Sequence, residues 1–382
     1  MLSRIIVSIS CISLLMLFLF QDNILLLINS AALYQPAKNI PSPSLHSLYD
    51  NYHFEKSDNI IHFGIQPLFT PGIITEVMKR DKLLHQSLAK LGLEIRFYSF
   101  YKGSDVNHYF KKNILDAGIG GDMPAISLCA ETGSLITSLI NQDYSSIISS
   151  NLNMVSELNG KKVAYAPGSN AHRMLLTQLA ANGLSQTDVQ MMAMDVDQMS
   201  NALKRGQIDA FAAWEPIISM AMQENPKIIS IAKGLTTGYL YFSHTFALKN
   251  GPAIRHIVAS QIRSMNWIRR NKANLNLASY WNITEQQKMT NNKLLLSVDH
   301  LTRLSMDGLI GTYSIGKLPE KDLLQQGRLN RQLKFLQRIG KIPSQLDWDK
   351  IQQCFDSSVI KEIIQNKAFY HLDQFELETT SQ

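Results

Sequence analysis

The chain has 382 residues, enough for two domains of ordinary size. Its composition, 45% hydrophobic and 18% charged, excludes an intrinsically disordered chain and a polytopic membrane protein. The net charge of +6 comes from scattered Lys and Arg, which reads as a solvated surface rather than a face for nucleic acid.

Residues 1–32 stand outside the fold. Arg4 precedes an apolar run from Ile5 to Phe20, and Ser30-Ala31-Ala32 supplies small residues at a cleavage site, the pattern of a secretory signal. The run is long for a signal, and Ile24–Ile28 adds a second apolar patch, so an uncleaved signal anchor stays open beside it. Three cysteines do not make a disulfide framework. Cys11 lies in the apolar segment, and Cys129 and Cys354 read as buried free thiols rather than as a pair.

Residues 33–57, with Pro36, Pro41 and Pro43, read as a linker. A strand is expected at Ile60–Ile65, an amphipathic helix at Ile73–Leu91, and a strand at Leu93–Phe97. Lys102-Gly103-Ser104 leads to a short helix near Val106–Lys112. A strand at Asp116–Ile119 then runs into Gly120-Gly121-Asp122 and a helix begins near Pro124. Ser134–Ile140 and Tyr144–Ser150 read as two further strands. The stretch 158–216 repeats the logic: strands at Val163–Ala166, Val189–Met194 and Ile208–Ala213, with helices at Arg173–Asn182 and Asp197–Arg205. A helix at Ile217–Gln223 follows, then strands at Lys227–Ala232 and Tyr239–Leu248 and a long helix at Ala253–Asn271. The rest reads as mostly helical: Glu285–Thr290, Lys293–Leu304, Glu320–Ile339 and Ile351–Gln365, with a loop at Tyr313–Gly316. Strands alternating with helices of this length imply an α/β fold with parallel pairing, and ligands on such sheets sit outside the carboxyl ends of the strands.

Those ends carry the candidate chemistry. Ser169 and Asn170 follow Gly168 at a helix start, where free N–H groups and the helix dipole favour an anion; the alternative is that one of them is an N-cap. Gly120, Gly121 and Asp122 precede a second helix start, with Asp122 either touching ligand or capping the helix. Gln66 ends the first strand and offers an amide donor and acceptor, and Phe69 nearby either walls a cleft or packs in the fold. Trp214 supplies an apolar wall and one N–H donor, and Glu215 either binds an amine or caps the helix after Pro216. His172 lines the cleft or supports Ser169, and Arg173 reads as pointing to solvent. No P-loop, metal-ligand spacing or nucleophile elbow occurs, so no catalytic residue, metal or cofactor is expected.

Four motifs in order, GDMPAI (Gly121–Ile126), LNGKKVAYAPGSNAHRMLL (Leu158–Leu176), NGLSQTDV (Asn182–Val189) and GQIDAFAAWEP (Gly206–Pro216), resemble the solute-binding proteins of bacterial ABC importers for aliphatic sulfonates, taurine and nitrate. The resemblance spans about residues 58–300. It implies a two-lobed type II periplasmic-binding-protein fold, here with a helical C-terminal extension. The implied layout is signal or anchor 1–32, linker 33–57, first lobe 58–143 plus 240–310, second lobe 144–239 and extension 311–382. It also implies a ligand between the lobes, closure on binding, and His172 at a position where the sulfonate group often has His. The expected function is capture of a small sulfonate- or taurine-like anion by a periplasmic or cell-surface monomer. Its partner would be an inner-membrane ABC permease, with no nucleic acid. The layout also serves as sensor domains of signalling proteins, and related folds act as enzymes or binders in thiamine pyrimidine-precursor chemistry. Both stay open as alternatives.

Overall fold

The structure, a computed structural model, describes residues 45, 47–290, 296–310 and 316–378. The expected signal segment with Cys11, residues 33–44 of the expected linker and most of the Tyr313–Gly316 loop lie outside the described residues.

One mixed sheet of eight strands organises the described chain, in the order β2-β1-β3-β8-β4-β7-β5-β6. In chain order these are β1 (Ile60–Ile65), β2 (Glu94–Ser99), β3 (Ala117–Gly121), β4 (Leu135–Ser149), β5 (Lys162–Tyr165), β6 (Gln190–Ala193), β7 (Ala210–Trp214) and β8 (Ile229–Phe242). β1 is buried at every position, as a central parallel strand covered on both faces must be. Parallel β1, β2 and β3 form the core of the first lobe, and parallel β5, β6 and β7 that of the second.

The join is made by β4 and β8. Each is expected as two separate strands, yet each runs unbroken, and the two pair antiparallel along almost their whole length. The first end of β4 and the last end of β8 serve the first lobe; their opposite ends serve the second. Polar residues such as Asn141-Gln142-Asp143 break the apolar pattern at mid-strand, which is why the strands read as two pieces. They continue because the backbone ladder needs no apolar side chain. β8 stops at Phe242, where Ser243 caps a short helix by accepting from the Phe246 N–H.

The helices are α1 (Gly72–Met78), α2 (Lys82–Lys90), α3 (Gly103–Lys111), α4 (Asp122–Thr132), α5 (Asn170–Ala181), α6 (Val196–Lys204), α7 (Ile217–Glu224), α8 (His244–Lys249), α9 (Gly251–Arg270), α10 (Lys272–Thr290), α11 (Val298–Ile310), α12 (Arg328–Arg338), α13 (Trp348–Gln352) and α14 (Ser358–Gln365). The single helix expected over Ile73–Leu91 is broken at Asp81. Its carboxylate accepts from Leu83 N–H at 3.1 Å to start α2, and also takes Arg263 of α9 in a two-pronged ion pair at 2.6 and 3.0 Å. Both side chains are almost wholly buried, so removing either one would strand the other charge. The two terminal helices expected at Glu320–Ile339 and Ile351–Gln365 are likewise each broken, the first leaving a 3₁₀ turn at Glu320–Leu323 ahead of α12.

The C-terminal extension is stitched onto the first lobe. α12 packs on α4, α14 packs on α9, and Phe375 stacks beside Trp267. The backbone of Cys354 and Asp356 bonds to Ile136 of β4. This return brings Cys354 within 6.1 Å (Cα to Cα) of Cys129 on α4, and the two form a disulfide. That corrects the expectation of free thiols: only the fold places two cysteines 225 residues apart in contact. The linker expectation is also corrected in part. Residues 47–57 dock on the first lobe through Tyr49, Tyr52 and Phe54, which pack in an aromatic cluster with Tyr98, Phe100 and Tyr109.

Candidate functional site

The carboxyl ends of β1, β3, β5 and β7 open onto one cavity of about 440 Å³, solvent mouth included. Its lining comes from the loop after β1 (Gln66, Phe69), the start of α3 (Lys102, Gly103, Ser104), the start of α4 (Gly121, Pro124), the loop into α5 (Ala166 to Asn170), the end of β7 (Trp214) and the middle of β8 (Thr236). Three helix starts therefore meet there, α3 and α4 from the first lobe and α5 from the second. The first turn of each helix leaves N–H groups without intrahelical acceptors, and the dipoles place partial positive charge at the same end.

Of the residues read as candidates, Gln66, Gly121, Ser169, Asn170 and Trp214 are brought together in this lining. Gln66 donates its Nε2 to Ile119 O at 2.6 Å. Ser169 is the N-cap of α5: its Oγ accepts from His172 N–H at 3.1 Å and donates to Ala166 O at 2.7 Å. Gly168 precedes it at φ +76°, a left-handed conformation that suits glycine. Asn170 ties the lobes together. Its Oδ1 accepts from Met123 N–H of α4 at 3.2 Å, and its Nδ2 donates to Thr236 Oγ1. Gly121 lies against this side chain, where a Cβ would stand 2.9 Å from Asn170 Oδ1. Trp214 spans the same gap, donating Nε1–H to Leu68 O at 3.0 Å.

Gly120, Asp122, His172 and Glu215 lie behind the lining rather than in it. Gly120 faces Tyr241, whose hydroxyl would be 2.5 Å from a Cβ at that position. Asp122 is fully buried and turns toward the extension. Its Oδ2 accepts from Thr237 Oγ1 and Arg328 Nη1, each at 3.1 Å, and from Gln332 Nε2. His172 stacks on Tyr165 with Phe335 of α12 at its edge, and its Nδ1 accepts from Gly168 N–H at 3.2 Å. Burial lowers its pKa to about 3, so the imidazole is neutral and serves as an acceptor that shapes the Gly168 turn. Glu215 accepts from Ser219 N–H at 3.1 Å at the start of α7, the capping alternative, and burial raises its carboxyl to about 7. Arg173, expected to face solvent, is instead partly buried near Asp122, and burial pushes its pKa down.

Sequence reasoning passed over Lys102, Gly103, Ser104 and Thr236 as lining. Lys102-Gly103-Ser104 had a usable signal, since it has the same strand–turn–helix placement as Gly168-Ser169-Asn170. Thr236 had none, because it sits in the middle of a strand. Among the described residues no cluster of His, Cys, Asp and Glu is arranged to hold a metal ion, and no helix is long and apolar enough to cross a membrane.

Residues 134–269, which include the β4–β8 unit, match the family described as NMT1/THI5 like. A protein of Escherichia coli (strain K12) named for binding aliphatic sulfonates is 29% identical over 217 residues, which is 54% of this chain and 66% of that protein. The chain thus spans just under two thirds of the length of that relative, and 52% of a Bacillus subtilis (strain 168) protein of the same name. Among solved structures, the alkanesulfonate-binding protein SsuA from Xanthomonas axonopodis pv. citri, bound to MOPS, superposes with TM-score 0.58 at 18% identity, covering 79% of this chain and 99% of that one. The periplasmic nitrate-binding protein NrtA from Synechocystis PCC 6803 gives TM-score 0.61 at 13% identity, covering 80% and 88%. At such identities the likeness establishes the fold, which is the two-lobed fold of periplasmic binding proteins.

Proposed function

We propose that this chain is the extracytoplasmic solute-binding component of an ABC importer, and that it holds a small organic anion of the sulfonate class between its lobes. The observation that carries this reading is the convergence of three helix starts, from both lobes, on one cavity. Backbone N–H groups and helix dipoles aimed at one point suit a compact anionic head group. Trp214, Phe69, Pro124 and Pro167 supply an apolar wall for a short organic tail. The names of the relatives point to the same ligand class. Ser169 Oγ donates to a backbone carbonyl rather than to a base, which supports binding without covalent chemistry. The Cys129–Cys354 disulfide fits an oxidising compartment outside the cytoplasm.

Closure would follow from the division of the site. Each lobe carries part of the ligand shell, so a ligand gains its full set of contacts only when the lobes meet around it. The cross-lobe bonds of Asn170 and Trp214 support a closed arrangement of this kind. The test is calorimetric titration and thermal shift with ethanesulfonate, taurine, nitrate and an uncharged pyrimidine. A bound ligand at 100 times its Kd stabilises the native state by about 2.7 kcal/mol. A shift with the sulfonates is the expected result; a shift with the pyrimidine alone would reject the anion reading.

A further inference from the structure

Lys102 is the only charged side chain among the described lining residues of the cavity. It caps α3 in an extended backbone conformation, and only 5% of it is exposed. A lysine this deep requires charged partners. It has two, one from each lobe. Asp105, one turn along α3, lies 3.6 Å from Nζ, and Asp195, at the start of α6 in the second lobe, forms a close ion pair with the same atom. Asp105 is itself held from behind: the Tyr49 hydroxyl donates to its Oδ2 at 2.7 Å, and the same oxygen of Tyr49 accepts from Tyr101 N–H at 2.9 Å. The ordered arm at residues 47–57 thus anchors the base of the lysine. The ammonium is fixed at the junction of the lobes by a carboxylate from each, and Lys102 shares the cavity lining with residues at the starts of α4 and α5.

We infer that Lys102 is the charge-selecting residue of the cleft: it makes the site take an anion in preference to an uncharged molecule of the same shape. The inference rests on the proposed anion-binding function. Backbone N–H groups alone hydrogen-bond a sulfonate and the oxygens of a neutral sulfonamide alike. The helix dipoles favour the anion modestly, and a full positive charge in a water-poor cavity adds the larger share of the discrimination. Asp105 and Asp195 offset the lysine charge at a distance, and the preference rests on position: Lys102 lines the cavity and neither carboxylate does, so an anion there meets the ammonium before it meets the aspartates.

The test compares ethanesulfonate with ethanesulfonamide by calorimetric titration of the secreted chain and of Lys102→Gln. Wild type should favour the sulfonate by at least about tenfold, and Lys102→Gln should bring the ratio to within about threefold while changing sulfonamide affinity little. A purely structural role for Lys102 would weaken both ligands together and leave their ratio intact, which would overturn the inference. Because Lys102→Gln leaves Asp105 and Asp195 without their cation, the double variant Lys102→Gln, Asp195→Asn is measured beside it. Loss of the ratio in the double variant supports the inference even where the single variant folds poorly. Retention of the ratio in the double variant defeats it. Wild type binding neither probe would instead remove the anion-binding function itself, an outcome distinct from a retained ratio.

Discussion

His172 gives a prediction that can be worked through to a magnitude. The imidazole is 1% exposed, stacked on Tyr165 at 4.4 Å between ring centres, and closed off at its edge by Phe335 of the extension. Burial, with Lys341 adding a smaller effect, lowers its pKa from 6.5 to about 3. The folded chain therefore takes up this proton only near pH 3, while the unfolded chain takes it up near pH 6.5. Between those values the unfolded state binds more protons, so stability falls as the pH falls. Moving from pH 7 to pH 5 should remove about 2 kcal/mol through this one group. The perturbation is His172→Gln, which keeps an acceptor for Gly168 N–H and removes the titration. Urea unfolding at pH 7 and pH 5 gives the four stabilities needed. Wild type should lose about 2 kcal/mol more than the variant over that interval. Other titrating groups, Glu215 included, act in both proteins and cancel in the difference to the extent that they are uncoupled from position 172. Parallel pH profiles would show that His172 is accessible to protons in the folded chain, and the argument from its burial would fail.

Glu215 runs the other way. Its carboxyl is raised to about 7, chiefly by burial, so the stability it contributes is complete below about pH 4.5 and is lost as the pH rises through 7. Glu215→Gln should be more stable than wild type at pH 8.5, by up to about 3 kcal/mol in urea unfolding, with the advantage vanishing at pH 4.5. The Cys129–Cys354 bridge closes a span of 225 residues, for which the chain-entropy model gives a stabilisation of at most about 5 kcal/mol. A reductant should lower the thermal midpoint of wild type and leave that of the double serine variant unchanged; equal sensitivity would mean that the bridge is absent in solution. Gly121 has φ −66°, open to any residue, but a Cβ there would press on Asn170 across the lobes. Gly121→Ala should weaken ligand binding by about tenfold or more with little change in unfolding midpoint, since the strain falls on the meeting of the lobes rather than within either one. Unchanged affinity would place the ligand away from this contact.

The sequence by itself determined the alternation of strands and helices and the position of the turns. Apolar periodicity and glycine punctuation are local, and each lobe is built of units short enough for local signals to dominate. It also located half of the cavity lining, because Gly168-Ser169-Asn170 and Gly120-Gly121-Asp122 sit at strand–helix junctions where such a sheet presents its ligand. What it left undecided depends on contacts between distant segments. The continuity of β4 and β8 is set by their pairing with each other, which overrides the polar residues in their middles. The break at Asp81 follows from Arg263, 182 residues away. The disulfide exists because the extension returns to α4. The same holds at the site. Asp122 and His172 have the residue types and spacing of ligand contacts, yet Arg328 and Gln332 claim one and Tyr165 and Phe335 enclose the other. Lys102 reads locally as one more surface lysine. Only the folded lobes bring Asp195 to it and make it the one charged side chain among the described residues of the cavity lining.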